Sequence, residues 1–563
     1  MEISSFDIFD TCLIRKCGTP ENFFDVFSLR AFDGDAEEWA RQEFVAARVL
    51  AQQSIQSAST TLQDIWDAFS WTHPLLKSKD DLYRLEQDLE REMLVPVLAM
   101  RDKVNNCRKC GDKIIFISDM YLSSEFLISV LRECGFFQDG DALYVSCECN
   151  ASKWNGELFQ YVKEKEGLKS FRHWHHYGDN KVGDYKAPKK LGIKCTLINH
   201  EYTPYQKQWK DNDYSLGFKY PSILAGLGRA LHYSTELTTH TDFVLDIIAP
   251  FYCSLVYRMM KDAKQRGIKR LYFCARDAYE MHQIALKYKS LFPGIDCRFL
   301  YISKKSLYEG DSLARQKYFE QIGLANTTDY VAIVDFRSSG KTLQVLNEQL
   351  SQIGCLPIKG YYFEMFCTKD DSFLSQNYYS EINSLYISNI RTLNRLLSRW
   401  NIYEQFFPLN TLKRTIDYYI DSKGIAHPVF DSENEEQTEE IEKVEMKEKV
   451  YWADIHHKII EKYVQDFTMV ANYSDEIFNN VCMPTIVRFF ETPDKHYLGS
   501  LDGFYASTYI DEKVVKVPYI SKINPLSLLL HKANKTMWRR ATLIYSIPKF
   551  MYKITDKIIH GNA

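Results

Sequence analysis

Ser5-Phe6-Asp7-Ile8-Phe9-Asp10-Thr11-Cys12-Leu13 is the stretch that decides how this chain is read. An apolar run ends at Phe6, a carboxylate stands at its carboxyl end, and Thr11 follows four residues later. Ligands of open α/β sheets bind in the crevice beyond the carboxyl ends of the strands, so Asp7 stands where a nucleophile belongs. An aspartate there attacks phosphorus when a cation offsets the charge of two approaching anions. The same layout also serves as a helix cap or a turn, and the stretch alone leaves both readings open.

Three later segments weigh towards chemistry. Lys113 to Ile117 is a second short apolar run and ends in Ser118-Asp119. A hydroxyl and adjacent amides at a strand end hold phosphate oxygens. Ser152-Lys153-Trp154-Asn155-Gly156-Glu157 opens a helical pattern, and Lys153 is a compact cation suited to neutralising a phosphoryl group. His175-His176-Tyr177-Gly178-Asp179-Asn180 closes another strand, with Asp184 five residues beyond Asp179. Two acids on one loop suffice for a magnesium ion, which keeps several of its waters.

In this order the four pieces resemble the haloacid dehalogenase (HAD) superfamily of phosphohydrolases, over roughly residues 1–200. Gly178-Asp179-Asn180-Lys181-Val182-Gly183-Asp184, followed by Ala187 and Leu191-Gly192-Ile193, is similar to the last motif of that family. The resemblance implies an aspartyl-phosphate on Asp7 that water hydrolyses. It implies Mg2+ held by Asp7, the backbone carbonyl near Phe9, and Asp179, with Asp184 in support. Ser118 and Lys153 would orient and neutralise the phosphate. One departure stands out. Phe9 occupies the place where phosphatases of the family carry a general acid, and Asp10 lies where they carry glycine. Either Asp10 takes over the proton transfer or the acid comes from elsewhere. A subgroup with the pattern Phe-Asp-x-Phe-Asp-Thr shares the departure and occurs in polysaccharide gene clusters. Glu37 to Gln53 and Asp80 to Met100 have apolar residues at helical spacing, so a helical cap over about residues 14–108 is expected, to exclude water and select substrate.

The chain has 563 residues, enough for two to four domains. It is 45% apolar and 26% charged, with net charge −4, which gives no nucleic-acid signature. The 37 Tyr and 34 Phe favour large cores. Fourteen cysteines are scattered, with no signal peptide before Asp7, so a reduced, cytoplasmic setting is expected. Cys107-x-x-Cys110 lacks the second pair that a structural zinc site requires. His173, His175 and His176 lie on the strand entering the last motif, and alternation sends His175 to the face opposite His176. No apolar run approaches the length of a membrane span. Glu433 to Lys449 reads as a solvated helix or linker.

After Tyr220 the pattern starts again. Apolar strands are expected at Arg270 to Cys274, Cys297 to Ile302, Tyr330 to Val334 and Ile358 to Phe363, alternating with helices near Ala278 to Lys289, Leu313 to Ile322 and Thr342 to Ile353. Such alternation predicts a second parallel, doubly wound sheet. Polar residues again follow the strand ends: Arg276-Asp277, Ser303-Lys304-Lys305, and Asp335-Phe336-Arg337-Ser338-Ser339-Gly340-Lys341-Thr342. The last loop runs straight into a helix, where amides and hydroxyls converge on an anion. It is not a Walker A loop, whose first glycine would fall on Asp335.

That loop resembles the phosphoribosyl-diphosphate (PRPP) loop of phosphoribosyltransferases. The resemblance implies that residues 338–342 grip the 5-phosphate and that Asp335 binds the ribose hydroxyls. Val334 and Ser338 depart from the usual acids. Arg276, Lys304 and Lys305, with a magnesium ion, are placed to neutralise the diphosphate, and Asp277 joins this substrate-binding set.

The expected organisation is an α/β protein with two doubly wound parallel-sheet domains, HAD-like at 1–212 and phosphoribosyltransferase-like at 213–410. A helical or irregular extension follows at 411–520, then a basic amphipathic tail at 521–563. The tail interleaves Lys522, Lys532, Lys535, Arg539, Arg540, Lys549, Lys553 and Lys557 with Leu526, Trp538, Tyr545 and Phe550. Such a segment lies on an anionic inner-leaflet surface or docks as a helix on its own domain. The expected partners are PRPP and a lipid-linked glycan acceptor, without nucleic acid. The expected function is transfer of ribose 5-phosphate to the glycan followed by removal of the 5-phosphate, the resemblance being to capsule and O-antigen ribofuranosylation enzymes. The alternatives are a sugar-phosphate phosphatase fused to a glycosyltransferase with another donor, and a noncatalytic scaffold of a polysaccharide assembly complex. Trp400, Tyr403, Glu404, Phe406 and Phe407 line an acceptor groove or pack as a buried helix.

Overall fold

The computed structural model describes residues 2–211, 217–236, 238, 240–325, 329–338, 340–365, 407, 412–431, 440–501, 505–510, 513–518 and 539–546. They fall into two units, Met1–Thr238 and Thr239–Ala563.

In the first unit the strands are β1 (Ile3–Phe6), β2 (Leu13–Arg15), β3 (Leu94–Pro96), β4 (Lys113–Ser118), β5 (Ala142–Val145), β6 (Trp174–Gly178) and β7 (Lys194–Leu197). Five of them make one sheet in the order β5-β4-β1-β6-β7, all parallel. The most central strand is therefore the run before Asp7. Its residues are buried on both faces, as a parallel strand sandwiched by helices must be. Strand order reverses at β1, so Asp7 stands at the switch point.

β2 and β3 pair antiparallel beside this sheet. Between them lie the helices Pro20–Ser28, Glu38–Ser54, Leu62–Ala68 and Lys79–Met93. The long stretch expected from Asp80 to Met100 is not one helix. It stops at Met93, Leu94–Pro96 forms β3, and a new helix runs Leu98–Lys109, because Pro96 can neither donate to a helical ladder nor fit its ring there. The buried stripe of helix Glu38–Ser54 is Ala40, Phe44, Arg48 and Ala51, and that of Lys79–Met93 includes Glu86 and Glu90. These interior charges are matched. Arg48 Nη2 donates to Glu86 Oε1 at 2.6 Å, and Glu86 also accepts from Trp66 Nε1 at 3.0 Å and Tyr121 Oη at 3.3 Å. Arg15 Nε donates to Glu90 Oε1 at 2.7 Å. A buried pair satisfied this fully persists, whereas removing one partner costs about 3–5 kcal/mol.

Helix Tyr220–Ser234 belongs to this first unit, beyond residue 212. Gly226 lets it lie directly on the Cys17–Gly18 turn. A Cβ at Gly226 would come within 2.3 Å of the Gly18 nitrogen and 2.5 Å of the Cys17 carbonyl carbon.

In the second unit, β8 (Arg270–Cys274), β9 (Asp296–Leu300), β10 (Val331–Ser338) and β11 (Lys359–Met365) form a parallel sheet ordered β11-β10-β8-β9. Helices Tyr279–Lys287, Ser312–Gln321 and Lys341–Gln352 alternate with them. The α/β class expected for this half is observed. The C-terminal region is not simply helical: the hairpins Thr415–Ile420/Ala426–Phe430 and Tyr505–Ile510/Lys513–Pro518 accompany the helices Glu440–Phe467 and Met483–Glu491. One stretch, Thr241–Gln265, does have the length and hydropathy to cross a membrane, contrary to the sequence reading; 89% of its apolar window is buried as a core helix.

Among the described residues a wide π turn precedes a proline three times. Lys181–Lys186, Val244–Ile248 and Phe478–Cys482 run into helices with Pro188, Pro250 and Pro484 near their starts. In each, the residue before the proline donates its N–H five residues back, to Val182, Val244 or Phe478. Widening the helix gives the ring room that an α-turn denies it.

Candidate active site

Asp7 follows β1 and is buried, its N–H donating to the Tyr177 carbonyl at 2.9 Å. Lys153 Nζ lies 2.5 Å from Asp7 Oδ1 and 2.7 Å from Asp184 Oδ1, and the Thr11 hydroxyl donates to Asp7 Oδ2 at 3.3 Å. Carboxylate oxygens of Asp7, Asp179 and Asp184 come within 4.8 Å of one another. Ser118, at the end of β4, is buried and lines the same cavity of about 600 Å³, with Phe9, Asp10 and Asp119. The structure thus brings Asp7, Phe9, Asp10, Ser118, Lys153, Asp179 and Asp184 into one wall.

The loops that carry these groups are fixed by local hydrogen bonds. Asp119 accepts from the Ser152 hydroxyl at 2.8 Å and from the Lys153 N–H at 2.9 Å, which aims the lysine inward. Asn180 Oδ1 accepts from the Val182 and Gly183 amides at 2.9 and 3.0 Å, capping the π turn that carries Asp184. Asp184 packs on the bare backbone of Gly178, where a Cβ would come within 2.4 Å of its Cγ.

His176 plays a larger part than the strand position assigned to it from sequence. The β1–β6 register sets Ser5 beside it. Trp174 Nε1 donates to Ser5 Oγ at 2.6 Å, and Ser5 Oγ lies 2.7 Å from His176 Nδ1. The ionised Asp184 carboxylate beside Nε2 only accepts, so the neutral ring carries its proton on Nε2 and Nδ1 accepts the Ser5 hydroxyl proton. His176 Nε2–H then donates to Asp184 Oδ1 at 3.1 Å. Burial keeps the imidazole neutral by pulling its pKa down. His175, as alternation requires, turns the other way, to Thr196 and Tyr177.

The charges do not balance without a further cation. Burial pushes the Asp7 carboxyl well up, and Asp184 and Asp179 push it further against the pull of Lys153. Burial, Asp10 and Asp184 raise Asp179 to about 6. Asp184 goes the other way: Lys153 and His176 outweigh burial and hold it below the usual carboxylate range. One ammonium therefore serves three carboxylates, an all-oxygen set that fits a divalent cation of the magnesium type.

Asp10 adopts a left-handed conformation, φ +53°, at the place where glycine was expected. Arg229 Nη2 holds it at 2.5 Å, and the guanidinium lies 4.6 Å from the centroid of the Tyr202 ring. Sequence reading missed Arg229. It comes from helix Tyr220–Ser234, one turn past the Gly226 contact, and only that long-range packing brings it here. Phe9 is covered by Arg15, whose guanidinium carbon is 4.4 Å from the ring centroid.

In the second unit the expected residues are spread over three strand ends. β10 is longer than expected, so Asp335 and Ser338 belong to the strand, since Arg337 and Ser338 continue the pairing with Glu364 and Met365 of β11. Gly340, φ +82°, caps helix Lys341–Gln352, so Lys341 and Thr342 open it, and the Gly340 N–H donates to Ser338 Oγ at 3.1 Å. Burial and the neighbouring Asp277 push Asp335 well up, and the two acids belong to adjacent strands, Asp335 in β10 and Asp277 just after β8, at the switch point of the sheet. Arg276, Lys304 and Lys305 are exposed, the lysines at the start of helix Lys304–Tyr308. Ser339, Trp400, Tyr403, Glu404 and Phe406 lie outside the described residues, as does most of the basic tail. Phe407 is buried against Phe251.

No protein-family model matches the chain, and no curated protein matches it. Among solved structures it is similar to YfnB of Bacillus subtilis, described as a HAD-hydrolase bound to magnesium (17% identity, 36% of this chain and 89% of that one, TM-score 0.27). It is also similar to a HAD family enzyme of Bacteroides thetaiotaomicron in a magnesium complex (15%, 35% and 93%, 0.27). A third is the L-2-haloacid dehalogenase of Xanthobacter autotrophicus (13%, 40% and 88%, 0.29).

Proposed function

We propose that the first unit is a phosphohydrolase working through an aspartyl-phosphate on Asp7. The observation that carries this reading is the Lys153 ammonium bridging Asp7 and Asp184 inside a three-carboxylate cluster. Magnesium, held by Asp7, the Phe9 carbonyl and Asp179 with Asp184 in support, would offset the charge of the incoming phosphate. Ser118 and Lys153 hold the phosphoryl oxygens. Asp7 Oδ attacks phosphorus, the P–O bond to the sugar breaks, and the leaving oxygen takes a proton. Water then hydrolyses the acyl phosphate and frees Asp7.

Asp10 is the proton carrier by elimination. Of the carboxylates on the wall, Asp7, Asp179 and Asp184 share Lys153 and the cation, and Asp119 holds the lysine loop. Held in place by Arg229, Asp10 takes the proton of the attacking water. It returns that proton to the leaving oxygen of the next substrate. Phosphate release from sugar phosphates with magnesium tests the reading, with the phosphorylated enzyme trapped on Asp7 by mass spectrometry; absence of both in the folded protein defeats it.

The second unit, in this reading, transfers ribose 5-phosphate from PRPP to a glycan. An acceptor hydroxyl attacks C1, the C1–O bond to diphosphate breaks, and the acceptor proton leaves to base. Support comes from Asp335 and Asp277 at a switch point beside the Gly340 cap, the position where open sheets bind phosphorylated ligands. The first unit then removes the 5-phosphate, and tethering raises the local concentration of the intermediate. A lipid-linked acceptor at an inner-leaflet surface fits the basic tail of the sequence. Acceptor mass after incubation with PRPP tests this half: gain of a phosphopentose followed by loss of phosphate.

A further inference from the structure

The cavity above Asp7 has two unlike walls. Every charged group on it comes from the core loops or from β2: the carboxylates, Lys153 and Arg15. The cap's polar contribution is uncharged, from Gln52, Gln56, Ser57 and Thr60. Gln52 turns its carbonyl to Arg48, accepting at 3.2 Å, which leaves the amide N–H groups to point elsewhere. Arg15, the one cation besides Lys153 among the described residues that line the cavity, is committed to Glu90 through Nε and Nη2. A substrate carrying a second anion would find nothing on the cap wall to pair with it, and its desolvation would go uncompensated.

Trp154 stands on the rim of the same cavity. It is 63% exposed, next in sequence to the buried Lys153. Among the described residues its ring packs on no other aromatic ring. Its backbone is nevertheless fixed, because the Trp154 N–H donates at 3.0 Å to the Ser152 hydroxyl that is itself bound to Asp119. A large aromatic side chain held at a cleft mouth with most of its surface open and no ring stacked on it is poised for a ligand.

We infer that Trp154 and the uncharged cap wall form a subsite for a neutral, hydroxyl-rich ring. The natural substrate is then a phosphorylated saccharide of more than one residue, with a single phosphate on the ring at Lys153 and an unphosphorylated sugar lying against Trp154. This rests on the phosphohydrolase reading and narrows it: free pentose phosphates and bisphosphates are poor substrates, and a ribofuranosyl 5-phosphate already joined to a second sugar is a good one.

Steady-state hydrolysis of acetyl phosphate, ribose 5-phosphate, fructose 1,6-bisphosphate and a 5-phosphoribofuranosyl disaccharide by the full chain tests it. The expected kcat/KM for the disaccharide exceeds that for ribose 5-phosphate about tenfold, and the bisphosphate ranks below both, a tenfold ratio being about 1.4 kcal/mol. Trp154→Ala collapses the disaccharide-to-acetyl-phosphate ratio through KM, and Trp154→Phe restores most of it. An unchanged ratio in Trp154→Ala, or a bisphosphate preferred to the disaccharide, overturns the subsite. Failure of the wild type on every phosphate, acetyl phosphate included, counts against the phosphohydrolase reading instead. Saturation-transfer NMR with the unphosphorylated disaccharide then decides the subsite alone: transfer that disappears in Trp154→Ala supports it, and no transfer to wild type sinks it.

Discussion

The two sheets carry their polar residues in opposite ways. In the first, one connected chain of hydrogen bonds runs from Trp174 through Ser5, His176, Asp184 and Lys153 to Asp7, all buried. In the second, Asp277 and Asp335 stand on neighbouring strands at the switch point while Arg276, Lys304 and Lys305 are exposed. Preorganised donors in a protein interior cost no reorganisation when charge develops, which is what the proposed phosphoryl transfer asks of the first site. Exposed cations following the ends of β8 and β9 are what the proposed capture of PRPP would draw on.

The comparison breaks most simply at Asp7. Asp7→Asn is expected to lower phosphate release about 10⁴-fold while leaving PRPP consumption intact, so that phosphorylated acceptor accumulates; fresh loss of phosphate from that variant would move the nucleophile elsewhere. Lys153→Met should cost about 10²–10³-fold in kcat, as lost transition-state charge compensation does, and a loss confined to KM would argue against that role. Gly178→Ala sharpens the contrast from a distance. Its Cβ displaces Asp184 without removing a charge, and magnesium dependence should shift about 10–100-fold, the scale of defects around metal ligands.

Asp335→Asn addresses the other sheet and should weaken PRPP binding about tenfold, the effect of one lost charge-assisted hydrogen bond; calorimetry reads it, with phosphate release as the folding control. The smallest effect is on pH. Asp179, raised to about 6, must lose its proton to bind a cation, so magnesium affinity should fall as the pH drops through that value. Below it, affinity falls about tenfold per unit for each proton displaced. Affinity that is flat from pH 5 to 7 would mean Asp179 stays out of the ion's coordination.

Legibility from sequence followed the range of the contacts. β1, β8 and the helices of the second unit could be read because hydrophobic period and turn residues are local signals. Asp7, Ser118 and Asp179 could be placed because each sits at a strand end, Lys153 because it precedes a helix, and Asp184 because it follows Asp179 closely in sequence. Arg229 could not, since its pairing with Asp10 spans 219 residues and depends on a glycine whose only business is closeness to another backbone. Nor could the alignment of His176, because hydrogen-bond direction along Trp174 and Ser5 follows from register rather than composition. The run through Pro96 misled for a related reason: β3 exists because β2 offers it a partner, and helical spacing carries no trace of that pairing.

The contact at Gly226 also fixes where this protein can be cut. A fragment ending near residue 212 keeps every motif that sequence comparison would prize, yet leaves the Cys17–Gly18 turn uncovered and Asp10 without its guanidinium. Anyone dissecting the first unit for expression must carry the chain through Thr238, or the effect of the truncation itself will be mistaken for the behaviour of the protein.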